Sequence, residues 1–121
     1  MTVFVSYARK DNPVDSLRSI EAIVSGLGTV YIDDVHGAEA HDRLAAVETA
    51  LEHASVLVGV ATPHYLHTAW TRREFTHALR RHIPIFALMP DGLLVSQDEA
   101  AWPWHEEAVG SPHTSSVDNS L

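Results

Sequence analysis

An aromatic residue and a carboxylate, Trp70 and Glu74, stand four positions apart in a segment with helical periodicity. At that spacing two side chains share one face of a helix. Because the segment follows a buried strand, this face is expected near one edge of a sheet. A glutamate early in a helix also has a simpler explanation, since the helix dipole favours it there. Glu74 could instead pair with Arg73, Arg43 or His77, and spacing alone does not decide between these interpretations.

Two other sets of residues have types that suit known chemistry. His64 and His67 are closely spaced, but the chain has no cysteine and no acidic residue at ligand spacing beside them, so we predict no metal site. Asp33 and Asp34 follow a short strand, as the acidic residues of a phosphoacceptor receiver domain do. Such a domain also needs an aspartate ending its third strand. Positions 61–62 hold Ala and Thr, which disfavours that class.

Apolar runs alternate with segments of helical periodicity along residues 2–90. The nearly continuous apolar run at 55–61 is typical of a strand buried on both faces, as in parallel sheets. The predicted strands are 2–7, 29–32, 55–61 and 84–89. The predicted helices run from 13 to 26 or 28, from 40 to 53, and from 68 or 70 to 81. Asn12 is the expected N-cap of the first helix and Pro13 its first residue. This order predicts a doubly wound, flavodoxin-like α/β fold, with helices on both faces of a mostly parallel sheet of four to five strands.

The carboxyl ends of the parallel strands are the expected place for a binding site. Right-handed crossovers bring all these ends to one edge of the sheet, where ligands bind. The residues expected there are Ser6, Tyr7 and Arg9 after the first strand, Asp33 and Asp34 after the second, and 62–65 after the third. The sequence has no GxGxxG, no GxxxxGK[ST] and no GxSxG motif, which excludes the corresponding nucleotide-binding and hydrolase signatures.

Composition and charge describe one domain and limit its partners. The 121 residues carry a net charge of −8 and are 45% hydrophobic, which is enough to bury a core. We expect a single domain over 1–109 with its core in 2–90, and a disordered tail over 110–121. All eight basic residues lie in 1–90 without forming the stripe typical of nucleic-acid binding, so no nucleic-acid partner is expected. No signal peptide or membrane span is predicted, and a cytoplasmic location is expected.

Several motifs together resemble the Toll/interleukin-receptor (TIR) domain family. Phe4-Val5-Ser6-Tyr7 with Arg9-Lys10-Asp11 resembles the opening box of these domains, and Tyr31-Ile32-Asp33-Asp34 with Gly37 resembles their second strand and the loop after it. The third-strand region, with Pro63-His64-Tyr65 and Trp70-Thr71-Arg72-Arg73-Glu74, is similar to the box that contains the family's glutamate, and Pro84-Ile85-Phe86 to the next strand. The likeness covers residues 2–90 in the correct order.

The resemblance implies an activity and a set of site residues. Prokaryotic and self-standing members of this family include enzymes that cleave or cyclise NAD⁺, and some of them, as in the Thoeris anti-phage systems, make a cyclic ADP-ribose-type signal. On this basis Glu74 is the catalytic glutamate. The expected substrate-binding residues are Ser6, Tyr7 and Arg9, with Arg9 or Lys10 near the phosphates, together with Asp33, Asp34 and Trp70. Asp33 and Asp34 either order the loop or hold a ribose, and Trp70 either stacks on a ring or anchors the helix. NAD⁺ is then the substrate, and no cofactor is expected.

Departures from the family pattern keep other functions open. The loop at 36–39 lacks the usual Arg-Asp and Pro-Gly residues, Thr71 stands where cysteine is usual, and little sequence follows Pro90 for a fifth strand. The first alternative is a non-catalytic TIR module that assembles with like domains, and the second is an enzyme similar to nucleoside deoxyribosyltransferases. The family implies self-association through TIR–TIR contacts and a separately encoded effector that responds to the product.

Overall fold

A computed structural model describes residues 1–36 and 42–96. The strands are β1 (Thr2–Ser6), β2 (Thr29–Tyr31), β3 (Val56–Val60), β4 (Ile85–Leu88) and β5 (Leu94–Ser96). The helices are α1 (Val14–Val24), α2 (Asp33–His36), α3 (Arg43–Glu52) and α4 (Ala69–Arg80). Short 3₁₀ turns are formed by Arg9–Asp11, Ser25–Leu27 and Tyr65–His67.

The strands form one sheet in the order β2-β1-β3-β4-β5. The first four strands are parallel, and β5 is antiparallel to β4. This is the strand order of flavodoxin-like folds, which confirms the predicted architecture. The order reverses between β1 and β3, where Ser6 at the end of β1 pairs with Gly59. A crevice is therefore expected beside Ser6, outside the carboxyl ends of these two strands.

Helices cover both faces of the sheet because the side chains of its strands alternate between two cores. Val3 and Val5 of β1 pack in the core that contains the buried residues of α1. Phe4 packs in the opposite core, with residues of α3 and α4. Ser6 lies two positions after Phe4 on the same strand and therefore projects from the face covered by α3 and α4. Strand alternation thus directs the Ser6 hydroxyl towards α4.

The start of α1 differs from the prediction by one residue. Pro13 occupies the N-cap position with an extended backbone, and the helix begins at Val14. The side-chain amide of Asn12 donates a hydrogen bond to the carbonyl of Ala8, at 2.8 Å, instead of capping the helix. The Asn12 side chain is thus bound to the preceding 3₁₀ turn and does not cap α1 as predicted.

Two further elements differ from the expected pattern. A four-residue helix, α2, replaces the first part of the loop expected after Asp34, and the backbone N–H of Ile32 donates to Nδ1 of His36 at 2.9 Å to close it. A fifth strand, within the predicted four to five, forms where little sequence was expected for it, because Gly92 adopts a positive φ of 88° and turns the chain back so that Leu94 pairs with Leu88. The rest of the expected loop, residues 37–41, and the predicted tail lie outside the described residues.

Candidate active site

A narrow cleft opens at the carboxyl edge of the sheet, beside the point where the strand order reverses. β1 ends there, the residues after β2 reach it, and the first two turns of α4 form its opposite wall. The side chain of Thr68 caps α4 by accepting a hydrogen bond from the backbone N–H of Thr71, at 3.1 Å. The cleft is lined by Phe4, Val5, Tyr7, Arg9, Asp33, Trp70 and Glu74.

Glu74 is the buried carboxylate of this cleft. Only 4% of the residue is exposed to solvent. The Ser6 hydroxyl donates a hydrogen bond to Oε1 of Glu74 at 2.8 Å. Desolvation by burial raises the pKa of Glu74 to about 8, although hydrogen bonds from Ser6 and Trp70 act in the opposite direction. A carboxylate in this setting changes its charge near neutral pH, which is a property of functional sites.

Two of the three simpler partners considered for Glu74 are engaged elsewhere. Arg73 forms an ion pair with Glu48 at 2.5 Å, and Arg43 binds Asp33 and Asp34. Nε2 of His77 is shielded from solvent and has no hydrogen-bond partner within the described parts of the chain. Since none of these three side chains forms a salt bridge with Glu74 in the described structure, the carboxylate is not part of an ordinary surface ion pair.

Tyr65 binds the serine hydroxyl that donates to Glu74. Its side chain is fully buried, and its hydroxyl donates to Oγ of Ser6 at 2.7 Å. Burial raises the pKa of the Tyr65 phenol, which therefore stays protonated. The Thr71 hydroxyl donates to the carbonyl of Tyr65, so that the turn carrying the phenol is tied to the start of α4. Thr71 occupies the position where the family usually has cysteine, and here its hydroxyl makes a structural contact.

A cluster of two aspartates and two arginines lies beside the cleft, and Arg9 and Asp33 of this cluster line it. Asp34 accepts hydrogen bonds from Tyr7 at 2.6 Å, from Arg9 at 2.9 Å and from Arg43 at 2.8 Å. Arg43 also donates to Asp33 at 2.6 Å. Although desolvation opposes it, hydrogen bonds from Tyr7 and Arg43 hold the pKa of Asp34 below its usual value. The cluster fixes the residues that follow β2 against the end of β1.

This cluster bears on the expected substrate contacts. Arg9, expected near phosphates, contacts both aspartates, yet its side chain remains 39% exposed. Of the two expected roles of Asp33 and Asp34, the structure shows contacts that order the segment after β2. Asp33 also lines the cleft, where it faces the same space as Glu74. Lys10 is exposed and does not line the cleft.

Trp70 has features of both predicted roles. Its ring is half-buried and packs against the core that contains Phe75 and Tyr65. The guanidinium of Arg73 lies 5.6 Å from the ring centroid, within the range of a cation–π contact. The ring also lines the cleft beside Glu74. The Trp70 side chain therefore packs α4 against the core and lines the site at the same time.

Sequence reasoning placed Tyr65 at the carboxyl edge of the sheet without a specific role and gave Arg43 only as a possible partner of Glu74. Tyr65 was visible as a residue following the central strand, but nothing in its spacing indicates a contact with Ser6, which is 59 residues away. Arg43 begins α3, and its contacts with the aspartates depend on how α3 packs. Both assignments require side-chain geometry.

The described residues show neither a metal-binding cluster nor a membrane-spanning helix. They contain no group of three or more His, Asp or Glu side chains placed to hold a metal ion. His64 instead contacts Asp11, its Nδ1 lying 2.6 Å from Oδ1. Within residues 1–36 and 42–96, no helix has both the length and the apolar character that crossing a membrane requires.

The fold and site thus define an α/β protein of flavodoxin-like topology with a buried carboxylate at the ligand edge of its sheet. A family model described as TIR domain matches residues 3–106, and the chain belongs to the TIR domain family. No curated protein and no solved structure matches the chain significantly.

Proposed function

We propose that the protein cleaves the bond between nicotinamide and ribose in NAD⁺, as a glycohydrolase or cyclase, with Glu74 as the catalytic residue. The observation that carries this proposal is the buried Glu74 carboxyl in the cleft at the carboxyl edge of the sheet. TIR domains include such enzymes, and residues 3–106 match the family.

The chemistry requires little besides a well-placed carboxylate. As the bond between the ribose C1′ and the nicotinamide nitrogen breaks, its electron pair leaves with nicotinamide, which becomes neutral. Positive charge then develops on the ribose, as in glycoside cleavage. A carboxylate fixed beside the sugar stabilises this charge more strongly in a desolvated site than in water. Water then attacks C1′ to give ADP-ribose, or a group of the substrate attacks to give a cyclic product, and one proton is released.

The charge of the substrate suits the raised pKa of Glu74. Burial favours the neutral carboxylic acid in the free protein. The nicotinamide ring of NAD⁺ is a cation, and a cation close to a carboxyl lowers its pKa. Substrate binding would therefore promote the ionised form that the reaction needs. In this proposal Asp33 holds a ribose, Arg9 lies near the phosphates, and Trp70, Ser6 and Tyr7 complete the contact surface.

The cleft must widen before a dinucleotide can enter. Its enclosed space is about 20 Å³, close to the volume of one water molecule. Arg9 and Trp70 line the cleft and are only partly buried, so a change in the positions of these two side chains would widen it. Opening of the cleft is therefore part of the proposed reaction, and TIR–TIR assembly is one means of driving it.

The proposal is tested by measuring nicotinamide release from NAD⁺ with purified protein at high concentration and under crowded conditions. Glu74→Gln should abolish release, and the mass of the product should distinguish hydrolysis from cyclisation. Glu52→Gln is a matched control, because Glu52 is exposed on α3 and does not line the cleft. Release that persists in Glu74→Gln would contradict the role of Glu74.

A non-catalytic TIR module is the second candidate, and the closed cleft is the observation that favours it. It predicts no nicotinamide release under any of these conditions, together with concentration-dependent self-association that Glu74→Gln leaves intact. Turnover of nucleosides without turnover of NAD⁺ would instead indicate a deoxyribosyltransferase-like enzyme.

The biological setting of the enzyme follows from the same resemblance. The motifs are similar to those of Thoeris-type proteins, and we extend the proposal to an ADP-ribose-type signal, made in the cytoplasm, that acts on a separately encoded anti-phage effector. Activation of a candidate effector by the purified reaction product tests this step.

A further inference from the structure

Three residues that are distant in the sequence form one continuous hydrogen-bonded chain beneath the cleft. The Tyr65 hydroxyl donates to Oγ of Ser6 at 2.7 Å, and the Ser6 hydroxyl donates to Oε1 of Glu74 at 2.8 Å. The three residues come from the turn after β3, from the end of β1 and from α4. All three are buried, and Ser6 and Tyr65 are fully inaccessible to solvent.

The direction of these hydrogen bonds follows from the number of protons available. A serine hydroxyl has one proton to donate and two lone pairs that accept. Because the protonated phenol of Tyr65 donates to Oγ, the serine proton is left to point at Glu74. A hydroxyl that accepts one hydrogen bond becomes a better donor in the next. Tyr65 therefore both orients the Ser6 proton and strengthens its bond to the carboxylate.

We propose that Tyr65 is a positioning residue that acts through Ser6 to hold the Glu74 carboxylate in its reactive orientation and to stabilise its ionised form. This role is distinct from that of Glu74, because the phenol of Tyr65 does not line the cleft. Its catalytic consequence rests on the proposed function, whereas its effect on Glu74 does not.

The charged and polar groups around Glu74 act on its ionisation in opposite directions. From α4, Trp70 donates a hydrogen bond and Arg73 contributes positive charge. From α2, Asp33 contributes negative charge and acts in the same direction as burial, against ionisation. From β1, Ser6 supplies the strongest opposing contact, and β2 contributes the neutral phenol of Tyr31. Because burial and Asp33 both raise the pKa of Glu74, a weaker hydrogen bond from Ser6 should let this pKa rise further.

Direct titration of the Glu74 carboxyl tests the proposal whether or not NAD⁺ is cleaved. The full chain is labelled with ¹³C at glutamate side-chain carboxyls, and the Glu74 signal is assigned by its loss in Glu74→Gln. Tyr65→Phe should raise the pKa of Glu74 by about 0.5–1, since a donor to the ionised form is weakened. Tyr31→Phe is the matched control. It removes a phenol hydroxyl that contacts Asp33 and not Ser6, and it should shift the pKa of Glu74 by less than Tyr65→Phe does.

A double-mutant comparison tests whether the effect passes through Ser6. Ser6→Ala should raise the pKa of Glu74 at least as much as Tyr65→Phe does. Adding Tyr65→Phe to Ser6→Ala should then have no further effect. Equal effects of Tyr65→Phe in the presence and absence of Ser6 would overturn the proposal, as would an unchanged Glu74 titration in folded Tyr65→Phe.

The catalytic consequence has its own measurement. If the wild-type chain cleaves NAD⁺, the acid limb of its kcat/KM profile should move to higher pH in Tyr65→Phe, by the same amount as the Glu74 titration. A lower rate with an unmoved limb would indicate a merely structural role for Tyr65 and would overturn the proposal. If the wild-type chain releases no nicotinamide, the proposed function fails, and the NMR titration still decides the role of Tyr65.

Discussion

The hydroxyl of Ser6 and the carboxylate of Glu74 lie 2.8 Å apart, although 68 residues separate them in the chain. Ser6 ends the first strand of the sheet, and Glu74 belongs to the helix that follows the third strand, which pairs directly beside the first. The contact exists because β1 and β3 are neighbours at the point where the strand order reverses. A parallel sheet can thus bring a hydrogen-bond donor to a buried carboxylate although no short sequence motif links the two residues.

The buried carboxyl should make stability fall as pH rises. In the folded chain the pKa of Glu74 is raised from 4.5 to about 8, so between these values the folded state holds a proton that the unfolded state has lost. By linkage, stability decreases through this range. We expect Glu74→Gln to gain about 2–4 kcal/mol relative to wild type on going from pH 5 to pH 8.

Urea unfolding at both pH values measures this effect. Glu52→Gln serves as the control and should follow the wild type, because Glu52 is exposed. Parallel changes in wild type and Glu74→Gln would show that Glu74 is ionised in the folded state throughout.

The same ionisation predicts the pH dependence of catalysis. If the carboxylate form is active, kcat/KM for NAD⁺ should rise with pH and level off above about pH 8, the pKa of Glu74 in the free protein. The midpoint for kcat should lie lower, because the bound nicotinamide cation favours ionisation. Initial rates between pH 6 and pH 9 test this expectation, and a kcat/KM that is constant over this range would contradict it.

The charged cluster should contribute to stability through Arg43. Its guanidinium binds Asp33 and Asp34 in a partly buried setting, where charge-assisted hydrogen bonds are stronger than at an open surface. Arg43→Ala should lower the free energy of unfolding by about 1–2 kcal/mol at pH 7. Since the pKa of Asp34 is lowered in the folded state, this difference should shrink as acid protonates the aspartates.

Arg18→Ala provides the comparison for Arg43→Ala. Arg18 pairs with Glu21 at 3.6 Å with its side chain 64% exposed, and such pairs contribute little. Equal losses in the two variants, measured by denaturant unfolding, would show that the cluster has no special stabilising role.

Gly28, which precedes β2, should be important for the stability of the fold. Gly28 has a φ of 152°, and a Cβ atom there would lie 2.4 Å from the carbonyl oxygen of Met1. That oxygen accepts a hydrogen bond from Thr29 at the start of the β1–β2 pairing. Gly28→Ala should therefore destabilise the fold by about 2–3 kcal/mol, whereas Gly26→Ala, with open space around its Cβ, should change stability by less than about 0.5 kcal/mol. Similar midpoints of thermal unfolding for the two variants would refute this.

Most of the fold could be predicted because its signals are local. The apolar run around β3 and the periodicity of α1 and α4 follow directly from side-chain alternation and helical repeat. The misplaced N-cap has a local cause as well, because Asn12 had a competing acceptor in the carbonyl of Ala8. Helix α2 has only four residues, too few to show a periodic pattern.

The sequence predicts where the candidate site lies, but not which side chains contact each other in it. Topology alone places Ser6 and Asp33 at one edge of the sheet, and the family resemblance points to Glu74. The partner of each side chain depends on rotamers and helix packing. The contact of Tyr65 with Ser6 and the engagement of Arg43 by the aspartates therefore required coordinates.

The two outer strands limit how copies of this protein can join. β2 and β5 are each three residues long, and β5 runs against the direction of its neighbour. Short edge strands offer few free backbone groups to an added strand, which protects a sheet against extension and aggregation. Copies of the described body should therefore associate through side chains on helices and connecting segments, so that their association depends on salt and on surface substitutions rather than on strand addition.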